Sequence, residues 1–550
     1  MTETVGHQIA EGLADAGVTV MFGVISIHNM PILHAAAEQG RIRFIPARGE
    51  AGAMNMADAF SRVSGQIGVA LTSTGTAAGN AAGAQAEALT AGSRVLHLTT
   101  QVDRQFMDRD RAAIHDVPKQ PEMLRGVSKA VFRVWDEKSA MGTLEAALRT
   151  VVTPPSGPVS LEVPVDVQRA PALAGARLSP PKPALPMPDP ALLDDLAGRV
   201  RQSKRPMLWL GGGARHAPAE ATALADLGFG IVTSTQGRAT VPEDHPGSLG
   251  AFNMTPEAEA IYASSDLMIV VGSRLRGNET KNNRMALPSP LFQIDVEPTQ
   301  AGRNYPVAGF ACADAALALK GLCERLPDRL ETDPNFHHEI AVARAKSEGA
   351  LRGRLGPYQI VADHLLARVP KGKHPWVRDV TISNSTFGNR YVQIAAPHLG
   401  VHALGGGIGQ GIAMAIGAAA GSPDARTIAL LGDGGAQLGL AELITAVDEG
   451  LPITFVLMND AAYGVIENIQ DAQYDGHRLY SKLKTPDFGL LCQSIGMAHS
   501  KITDIRGFAD TFDGTLARDG PALVEVDMTA IGPFAEAFAG PPAGAAGQSK

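Results

Sequence analysis

Short apolar runs of strand length alternate with amphipathic helical stretches along most of the chain. The clearest runs are Gly68–Thr72, Val95–Thr99, Met207–Leu210, Leu267–Val271, Leu291–Asp295, Thr427–Leu431 and Ile453–Met458. Apolar strands that alternate with helices are typical of parallel sheets covered by helices on both faces. The pattern therefore predicts an α/β protein with doubly wound sheets, and its first and last thirds resemble each other.

Two proline-containing stretches divide this pattern. Residues 169–190 read RAPALAGARLSPPKPALPMPDP, and such a proline density favours an extended tether over a helix or a central strand. A polar stretch with further prolines follows Leu322 and marks a second, weaker boundary. We therefore predict three doubly wound parallel-sheet domains, over residues 1–168, 190–325 and 350–550.

Composition and charge exclude several classes of protein. With 45% hydrophobic and 19% charged residues, the 550-residue chain has an ordinary globular composition. Its net charge of −8 argues against a nucleic-acid partner, because such proteins carry a basic surface. No apolar run approaches the roughly 20 residues of a membrane span, and no signal peptide is visible, so we expect no membrane partner.

The three cysteines are Cys312, Cys323 and Cys492. Their odd number and wide spacing make a disulfide framework or a structural zinc site improbable. A reducing compartment suits free thiols, so we expect a cytoplasmic protein.

The most informative segment is TIALLGDGGAQLGLAELITAVDEGLPITFVLMNDAAYG, over residues 427–464. Its first apolar strand is followed by Asp433, and its second by Asp460, with a helix predicted from about Leu438 to Glu449. Adjacent parallel strands end at the same sheet edge, where open α/β sheets bind ligands. Two aspartates at that edge could hold a hard divalent cation, which prefers oxygen ligands. The N–H groups of Gly434 and Gly435 could meet phosphate oxygens; alternatively, these are ordinary loop residues.

This unit resembles the diphosphate-binding motif of thiamine-diphosphate (ThDP) enzymes of the acetolactate synthase and 2-oxo acid decarboxylase family. The resemblance implies ThDP and Mg²⁺ as cofactors, with Asp433, Asp460 and the main-chain carbonyl of Ala462 as metal ligands. It also places the segment Tyr463, Gly464 and Val465 against the cofactor. The family usually has asparagine at the second ligand position; aspartate adds negative charge but is an equally hard ligand.

A second resemblance lies in the first domain, where residues 47–65 read ARGEAGAMNMADAFSRVSG. The family's essential glutamate, which bonds the aminopyrimidine ring of ThDP, maps onto Glu50. That chemistry needs a desolvated carboxyl group, and we expect Ala51, Ala53 and Met54 to supply apolar surroundings. Taken alone, Glu50 could instead be an exposed residue favoured by the helix dipole.

The third domain carries two further matches. The run GGGIGQGIAMAIGA, from Gly405, resembles the family's glycine-rich segment. The resemblance implies that the backbone of Gly406 binds the aminopyrimidine and that Ile408 props the two cofactor rings apart. The residues Ser383, Asn384 and Ser385 follow a predicted strand, and the resemblance makes them candidate diphosphate ligands. Ile408 could equally be a core residue.

The middle domain contains GGGAR at residues 211–215 and resembles the family's non-catalytic domain. In some relatives that domain binds FAD or ADP. A short glycine turn also serves simply to pack a parallel sheet, so we do not favour either nucleotide here.

Substrate choice should depend on side chains above the cofactor, and here three histidines stand out. His28 lies in a loop where some decarboxylases and lyases of the family carry a proton-shuttling histidine. His115 is the nearest match to a family glutamine, and His402 precedes the glycine run. A single such histidine is usually a plain polar side chain, but an imidazole can exchange protons near neutral pH. We rank His28 first and His115 second; Tyr463 and Glu467 either close the pocket or pack the next helix.

These matches predict a ThDP- and Mg²⁺-dependent lyase that decarboxylates a 2-oxo acid or cleaves a related bond beside a carbonyl. One alternative is carboligation of the acetolactate synthase type. Alternatives from other classes are a nucleotide-dependent oxidoreductase and a catalytically silent binding subunit. In the family, the glutamate and the metal site come from neighbouring chains, so the resemblance implies a homodimer or homotetramer.

Overall fold

The computed structural model describes residues 3–173 and 177–538 and contains three parallel β-sheets. None of the helices within these two ranges combines the length and apolar character that crossing a membrane requires. We call the sheets the first, central and third sheet in chain order.

The first sheet has six parallel strands in the order β2-β1-β3-β4-β6-β5. Its strands are β1 (Val20–Gly23), β2 (Arg43–Pro46), β3 (Gly68–Thr72), β4 (Val95–Gln101), β5 (Ala130–Arg133) and β6 (Val159–Pro164). The helices of this part are α1 (Val5–Asp15), α2 (Met30–Gln39), α3 (Glu50–Ser64), α4 (Thr76–Ala91), α5 (Gln120–Arg125), α6 (Ala140–Val152) and α7 (Val165–Arg169).

The central sheet has five parallel strands in the order β11-β10-β9-β7-β8. They are β7 (Pro206–Leu210), β8 (Gly230–Thr233), β9 (Leu267–Val271), β10 (Leu291–Asp295) and β11 (Gly309–Cys312). The helices are α8 (Pro190–Gln202), α9 (Pro218–Asp226), α10 (Pro256–Ser264), α11 (Ala315–Cys323) and α12 (Phe336–Arg354).

Helix α12 differs from the sequence-based expectation of a polar boundary after Leu322. Its side chains Phe336 and Ile340 are fully buried and share a hydrophobic core with Met207 and Val232 of the central sheet. Few apolar residues in a mostly polar helix are enough to dock it, because they lie on one face.

The third sheet has six parallel strands in the order β13-β12-β14-β15-β17-β16. They are β12 (Trp376–Arg378), β13 (Gly400–His402), β14 (Thr427–Gly432), β15 (Ile453–Asn459), β16 (Ala498–Ile502) and β17 (Ala522–Asp527). The helices are α13 (Gln359–Arg368), α14 (Gly411–Gly421), α15 (Asp433–Gln437), α16 (Glu442–Asp448), α17 (Gly464–Gln473), α18 (Phe488–Ser494), α19 (Phe508–Leu516) and α20 (Met528–Ile531).

The first and third sheets share one strand order, in keeping with the similar sequence patterns of these two parts of the chain. The predicted fold class, three doubly wound parallel-sheet α/β units, is confirmed. The single helix predicted from about Leu438 to Glu449 is wrong in detail. The helix begins later, as α16 from Glu442, and a separate short helix, α15, ends at Gln437, before the predicted start. The chain between the two helices passes the glycine run, where a β carbon on Gly439 would lie 3.2 Å from the Gly409 carbonyl oxygen.

Helices α3 and α14 join the first and third parts of the chain. Their buried side chains, including Met54, Phe60 and Met414, belong to one hydrophobic core. The helices approach so closely that a β carbon on Gly417 would lie 2.0 Å from the Met56 carbonyl oxygen. Only glycine permits this backbone approach.

We expect Gly417→Ala to destabilise the protein, because the added methyl group must push α3 away from α14. Overpacking of this kind costs about 1–3 kcal/mol. Gly349→Ala is the matched control, since Gly349 also lies within a helix and its β carbon would meet no atom within 4 Å. Scanning calorimetry should give a lower unfolding temperature for the first variant only, and an unchanged value would contradict the packing argument.

Candidate active site

Asp433 and Asp460 meet at the carboxyl edge of the third sheet. Asp433 directly follows β14 and is buried, and its Oδ1 accepts a hydrogen bond of 3.3 Å from the backbone N–H of Asp460. Burial, and then the charge of Asp433, raise the pKa of Asp460 to about 7. Burial also raises the pKa of Asp433. Two carboxylates this close repel each other, and a bound cation would remove that repulsion.

The loop after Asp460 is shaped around its carboxylate. Ala461 has a left-handed backbone with φ of 52°, and the N–H of Ala462 donates to Asp460 Oδ1 at 3.3 Å. A β carbon on Gly464 would lie 2.2 Å from Asp460 Oδ2, so glycine leaves room for the carboxylate. Within residues 3–173 and 177–538, no cluster of three or more His, Cys, Asp or Glu side chains could hold a metal ion. A cation at this edge would therefore need main-chain oxygen as well.

Several buried polar atoms at this edge have no hydrogen-bond partner in the described chain. They are Ser383 Oγ, Asn384 Oδ1, Gln410 Oε1, Asp433 Oδ2 and Gln437 Nε2. Buried polar atoms are nearly always paired, so such a group calls for a ligand. Carboxylate and amide oxygens suit a divalent cation, while a hydroxyl and an amide N–H suit phosphate oxygens. The donor set therefore fits a metal-bound diphosphate.

The remaining predicted residues of this edge lie beside these atoms. Ser385 is half-buried in the π-helical turn Asn384–Gly388. Gly434 packs under the Tyr463 ring, where a β carbon would lie 2.7 Å from the ring atoms. Val465 packs instead against the hydrophobic core that contains Ile382 and Met458, so its side chain has a structural contact.

Asp379 is a residue that the sequence analysis missed. It directly follows β12 and is buried, and its carboxylate accepts the N–H groups of Gly409, at 3.1 Å, and Gly411, at 3.2 Å. Burial raises its pKa to about 6. It therefore anchors the far end of the glycine run. The available signal was its position: like Asp433, it is an acid placed immediately after a buried strand.

The glycine run itself presents Ile408 to the surface. Gly406 and Gly409 have φ values of 81° and 84°, a region that glycine enters without strain. Ile408 lies between them with 39% of its surface exposed. Ile408 is therefore not a core residue, and its role beside the cofactor rings stays a prediction.

Glu50 stands apart from these residues. It is the first residue of α3 and half-buried, and its Oε2 accepts a hydrogen bond of 3.2 Å from Asn80. The expected apolar surroundings differ: Ala53 and Met54 point into the core, whereas Ala51 is exposed. Within the described chain no hydrogen bond joins Glu50 to the aspartate pair.

The backbone before Glu50 is held by a residue of the third part of the chain. Glu442 is buried, and its Oε1 accepts the N–H groups of Arg48, at 3.1 Å, and Gly49, at 3.2 Å. A β carbon on Gly52 would lie 2.0 Å from the same oxygen. Burial raises the pKa of Glu442. No local sequence motif marks Glu442 for this contact.

His28 and His115 are brought together, although 87 positions separate them in the sequence. Their ring centroids lie 5.1 Å apart, edge to face. His28 is buried, and its Nδ1 lies 3.4 Å from the Ser73 hydroxyl, whereas His115 is exposed. Burial lowers the pKa of His28, and the nearby His115 lowers it further. Both rings lie at the carboxyl edge of the first sheet, on loops that follow β1 and β4.

His402 does not join this pair. It is buried at the end of β13, its Nδ1 lies 3.4 Å from the Arg378 guanidinium, and its carbonyl oxygen accepts from Arg62 at 2.7 Å. Burial and the surrounding arginines lower its pKa well below the usual range. The prediction that His402 faces the same pocket as His28 and His115 is therefore wrong, because the His402 side chain is surrounded by arginines.

Two other side chains have structural contacts. Glu467 is buried and accepts hydrogen bonds from Ser481 and Arg478, each at 3.1 Å, so it holds the chain after α17. Gln120, which lies five residues beyond His115, is buried and accepts the Gly75 N–H at 2.6 Å. It fixes the turn after β3, and only the fold reveals this contact.

The glycine turn of the central sheet is explained by packing. A β carbon on Gly211 would lie 2.2 Å from the Gly272 carbonyl oxygen, and one on Gly213 would lie 2.8 Å from the Gly272 α carbon. Two turns after adjacent strands thus touch through backbone atoms. This contact accounts for the glycines without a nucleotide.

Three family models match the chain. They describe the thiamine pyrophosphate enzyme N-terminal TPP binding domain over residues 3–123, the central domain over 193–322, and the C-terminal TPP binding domain over 382–526. Thiamine pyrophosphate is another name for ThDP. The chain belongs to the family of ThDP-dependent enzymes, which confirms the sequence-based identification and ThDP as the cofactor.

The similar proteins include both a decarboxylase and acetolactate synthases. A protein of Pseudomonas aeruginosa named as a probable 2-ketoarginine decarboxylase is 27% identical over 96% of this chain and 94% of its own length. The chloroplastic acetolactate synthase of Arabidopsis thaliana is 26% identical over 94% and 80%. An X-ray structure from Mycobacterium smegmatis, described as a thiamin diphosphate-dependent enzyme, shares the fold with a TM-score of 0.80 at 22% identity, covering 96% of this chain and 99% of that one.

Proposed function

We propose that this enzyme decarboxylates a small 2-oxo acid with the help of ThDP and Mg²⁺. The observation that carries the proposal is the contact between His28 and His115, whose rings lie 5.1 Å apart at one sheet edge. Decarboxylation leaves a carbon that must gain a proton, and an imidazole is suited to supply it. The 2-ketoarginine decarboxylase relative supports the same reaction class.

The third sheet would hold the cofactor's diphosphate. Asp433, Asp460 and the Ala462 carbonyl would bind Mg²⁺, and the unpaired hydroxyl of Ser383 and the side-chain N–H of Asn384 would donate to phosphate oxygens. The rest of the proposed cofactor-binding set consists of Ser385, Gly434, Gly435, Tyr463 and Gly464. When bound, ThDP supplies the electron sink that makes loss of carbon dioxide feasible.

Glu50 would act together with a second copy of the chain. Its half-buried carboxylate at the start of α3 would be available to an aminopyrimidine ring bound by another subunit, whose own Gly406 and Ile408 would contact the same ring. Ile27 and Leu438, with 63% and 62% of their surfaces exposed, are apolar residues that an interface would cover. This arrangement supports the proposal of a homodimer or a homotetramer.

His28 and His115 would transfer protons to the reacting carbon. Because its pKa is lowered, the buried His28 releases a proton more readily than an ordinary histidine. The exposed His115 beside it is placed to exchange protons with solvent. Proton transfer by a positioned side chain typically accelerates a reaction by about 100- to 10,000-fold.

Carboligation of the acetolactate synthase type is the second candidate. Acetolactate synthases of several plants are 26% identical to this chain over 94% of its length. The two reactions share their first steps and differ in whether a proton or a second 2-oxo acid is taken up, so the histidine pair favours cleavage.

A cytoplasmic location is also part of the proposal. Cys312, Cys323 and Cys492 are all free, and Cys492 is buried. Unpaired cysteines suit a reducing compartment.

Substitutions of Asp433 and Asp460 should show whether metal binding needs an oxygen ligand or a negative charge at each position. We expect Asp433→Ala to abolish Mg²⁺-dependent ThDP binding and Asp460→Ala to weaken it. Asp460→Asn should preserve binding, because asparagine keeps an oxygen ligand and removes the repulsion between the carboxylates. Calorimetric titration with ThDP, with and without Mg²⁺, measures these affinities. Equal ThDP affinities in all three variants would show that Asp433 and Asp460 do not bind the metal ion.

Product analysis tests the reaction class. We expect more carbon dioxide and aldehyde from 2-oxo acids, tested as pyruvate, longer and branched acids, and 2-ketoarginine, than acetolactate from pyruvate. Because both reactions release carbon dioxide from pyruvate, acetolactate and aldehyde are quantified separately in each assay. Acetolactate as the main product would establish the carboligase alternative instead.

His28→Ala should lower kcat by about 100-fold, the lower end of general acid catalysis, with little change in KM. The reason is that the side chain acts at the proton-transfer step rather than in holding the substrate. His34→Ala is the control, since His34 is exposed on α2 and pairs with Glu38. A variant with normal kcat, or one whose loss lies in KM alone, would exclude His28 as the proton donor.

A further inference from the structure

We propose that Glu87 is a positioning residue that sets the geometry of the glycine run over which the cofactor ring would lie. Glu87 belongs to α4 of the first part of the chain and is only 3% exposed. Its Oε1 accepts the N–H of Leu404 at 2.7 Å, and its Oε2 accepts the N–H of Gly405 at 2.6 Å. One carboxylate thus spans 317 positions of sequence to hold two successive backbone donors.

Arg62 also holds the segment of residues 402–405. Arg62 donates to Glu87 Oε1 at 3.1 Å and to the His402 carbonyl oxygen at 2.7 Å. Asp58 accepts a further bond of 2.8 Å from the Arg62 guanidinium. Burial disfavours the charge of Arg62, but the two carboxylates outweigh it and raise its pKa. Three backbone groups within residues 402–405 are therefore fixed by buried charged side chains.

The other end of the run is held by Asp379, as described above. Between the two anchors lie Gly406, with φ of 81°, and the exposed Ile408. One end of the glycine run is therefore held by a carboxylate of the first part of the chain, and the other end by a carboxylate of the third part. A β carbon on Gly405 would lie 2.7 Å from Glu87 Oε2, so glycine at that position is what lets the carboxylate approach.

This placement has a consequence for catalysis, and the inference rests on the proposed function. Gly406 and Ile408 are the residues proposed to contact the cofactor rings, so the anchor that fixes residues 404–405 also fixes their height above the sheet. Hydrogen bonds from charged acceptors are short and directional, which makes such an anchor stiff. Loss of the anchor should displace the rings while leaving the substrate's own contacts intact.

The test uses the full-length protein and the variants Glu87→Gln and Glu87→Asp. Glutamine removes the charge and places an amide against a backbone donor, whereas aspartate keeps the charge but is one methylene too short to reach both N–H groups. For both we expect kcat to fall by about 100-fold with KM nearly unchanged, because a 1 Å misplacement of reacting groups costs about that much. The near-ultraviolet circular dichroism of bound ThDP should change in parallel.

Glu243→Gln is the matched control. Glu243 is also buried, pairs with Arg238 at 2.7 Å and accepts the backbone N–H of Ile394 at 2.8 Å, but it does not contact the glycine run. It should lose thermal stability comparably while keeping kcat and the dichroism of bound ThDP. If both Glu87 variants keep the wild-type kcat and dichroism, or if Glu243→Gln loses them equally, Glu87 is not a positioning residue.

Hydrogen exchange without cofactor separates this inference from the proposed function. The amides of Leu404 and Gly405 should exchange faster in both Glu87 variants than in the wild type and in Glu243→Gln. If the wild type fails to bind ThDP with Mg²⁺, the proposed site is wrong, yet the exchange experiment still reports on the anchor. Unchanged exchange at both amides would refute the anchor itself.

Discussion

The backbone contact between α3 and α14 is the constraint on which the rest of the structure depends. At Gly417 the two helices are so close that a β carbon would overlap the Met56 carbonyl oxygen, at 2.0 Å. This approach fuses the cores of the first and third parts of the chain. It also brings Glu87 to the glycine run and Glu442 to the turn before Glu50, so that each part holds a loop of the other.

Buried carboxylates have two distinct functions in this molecule. Asp379, Glu87 and Glu442 are satisfied by backbone N–H groups and shape the loops. Asp433 and Asp460 instead face each other, and Asp433 retains an oxygen without a partner. A satisfied carboxylate stabilises the fold, whereas a repelling pair is stable only with a cation or a proton between its members. This difference distinguishes the carboxylates that hold loops from the proposed metal ligands.

Some roles were recognisable from sequence because they depend on local order. The strand that precedes Asp433 and the glycines around Ile408 are contiguous motifs: the apolar pattern predicted the sheet edge, and the family resemblance made Ile408 a candidate cofactor contact. Glu87 and Glu442 were missed because a lone glutamate in an alanine-rich or leucine-containing helix carries no local signal. Their partners lie more than 300 positions away.

The sequence by itself determined the fold class, the family and the edge of the third sheet where the aspartates meet, because alternating apolar strands and glycine turns encode these locally. Only the tertiary structure decided which histidines lie together. It placed His28 against His115 and left His402 among arginines, since ring contacts depend on how loops from different strands converge. It also decided that Glu87 and Asp379 hold the two ends of the glycine run, because these hydrogen bonds join residues that are far apart in the sequence.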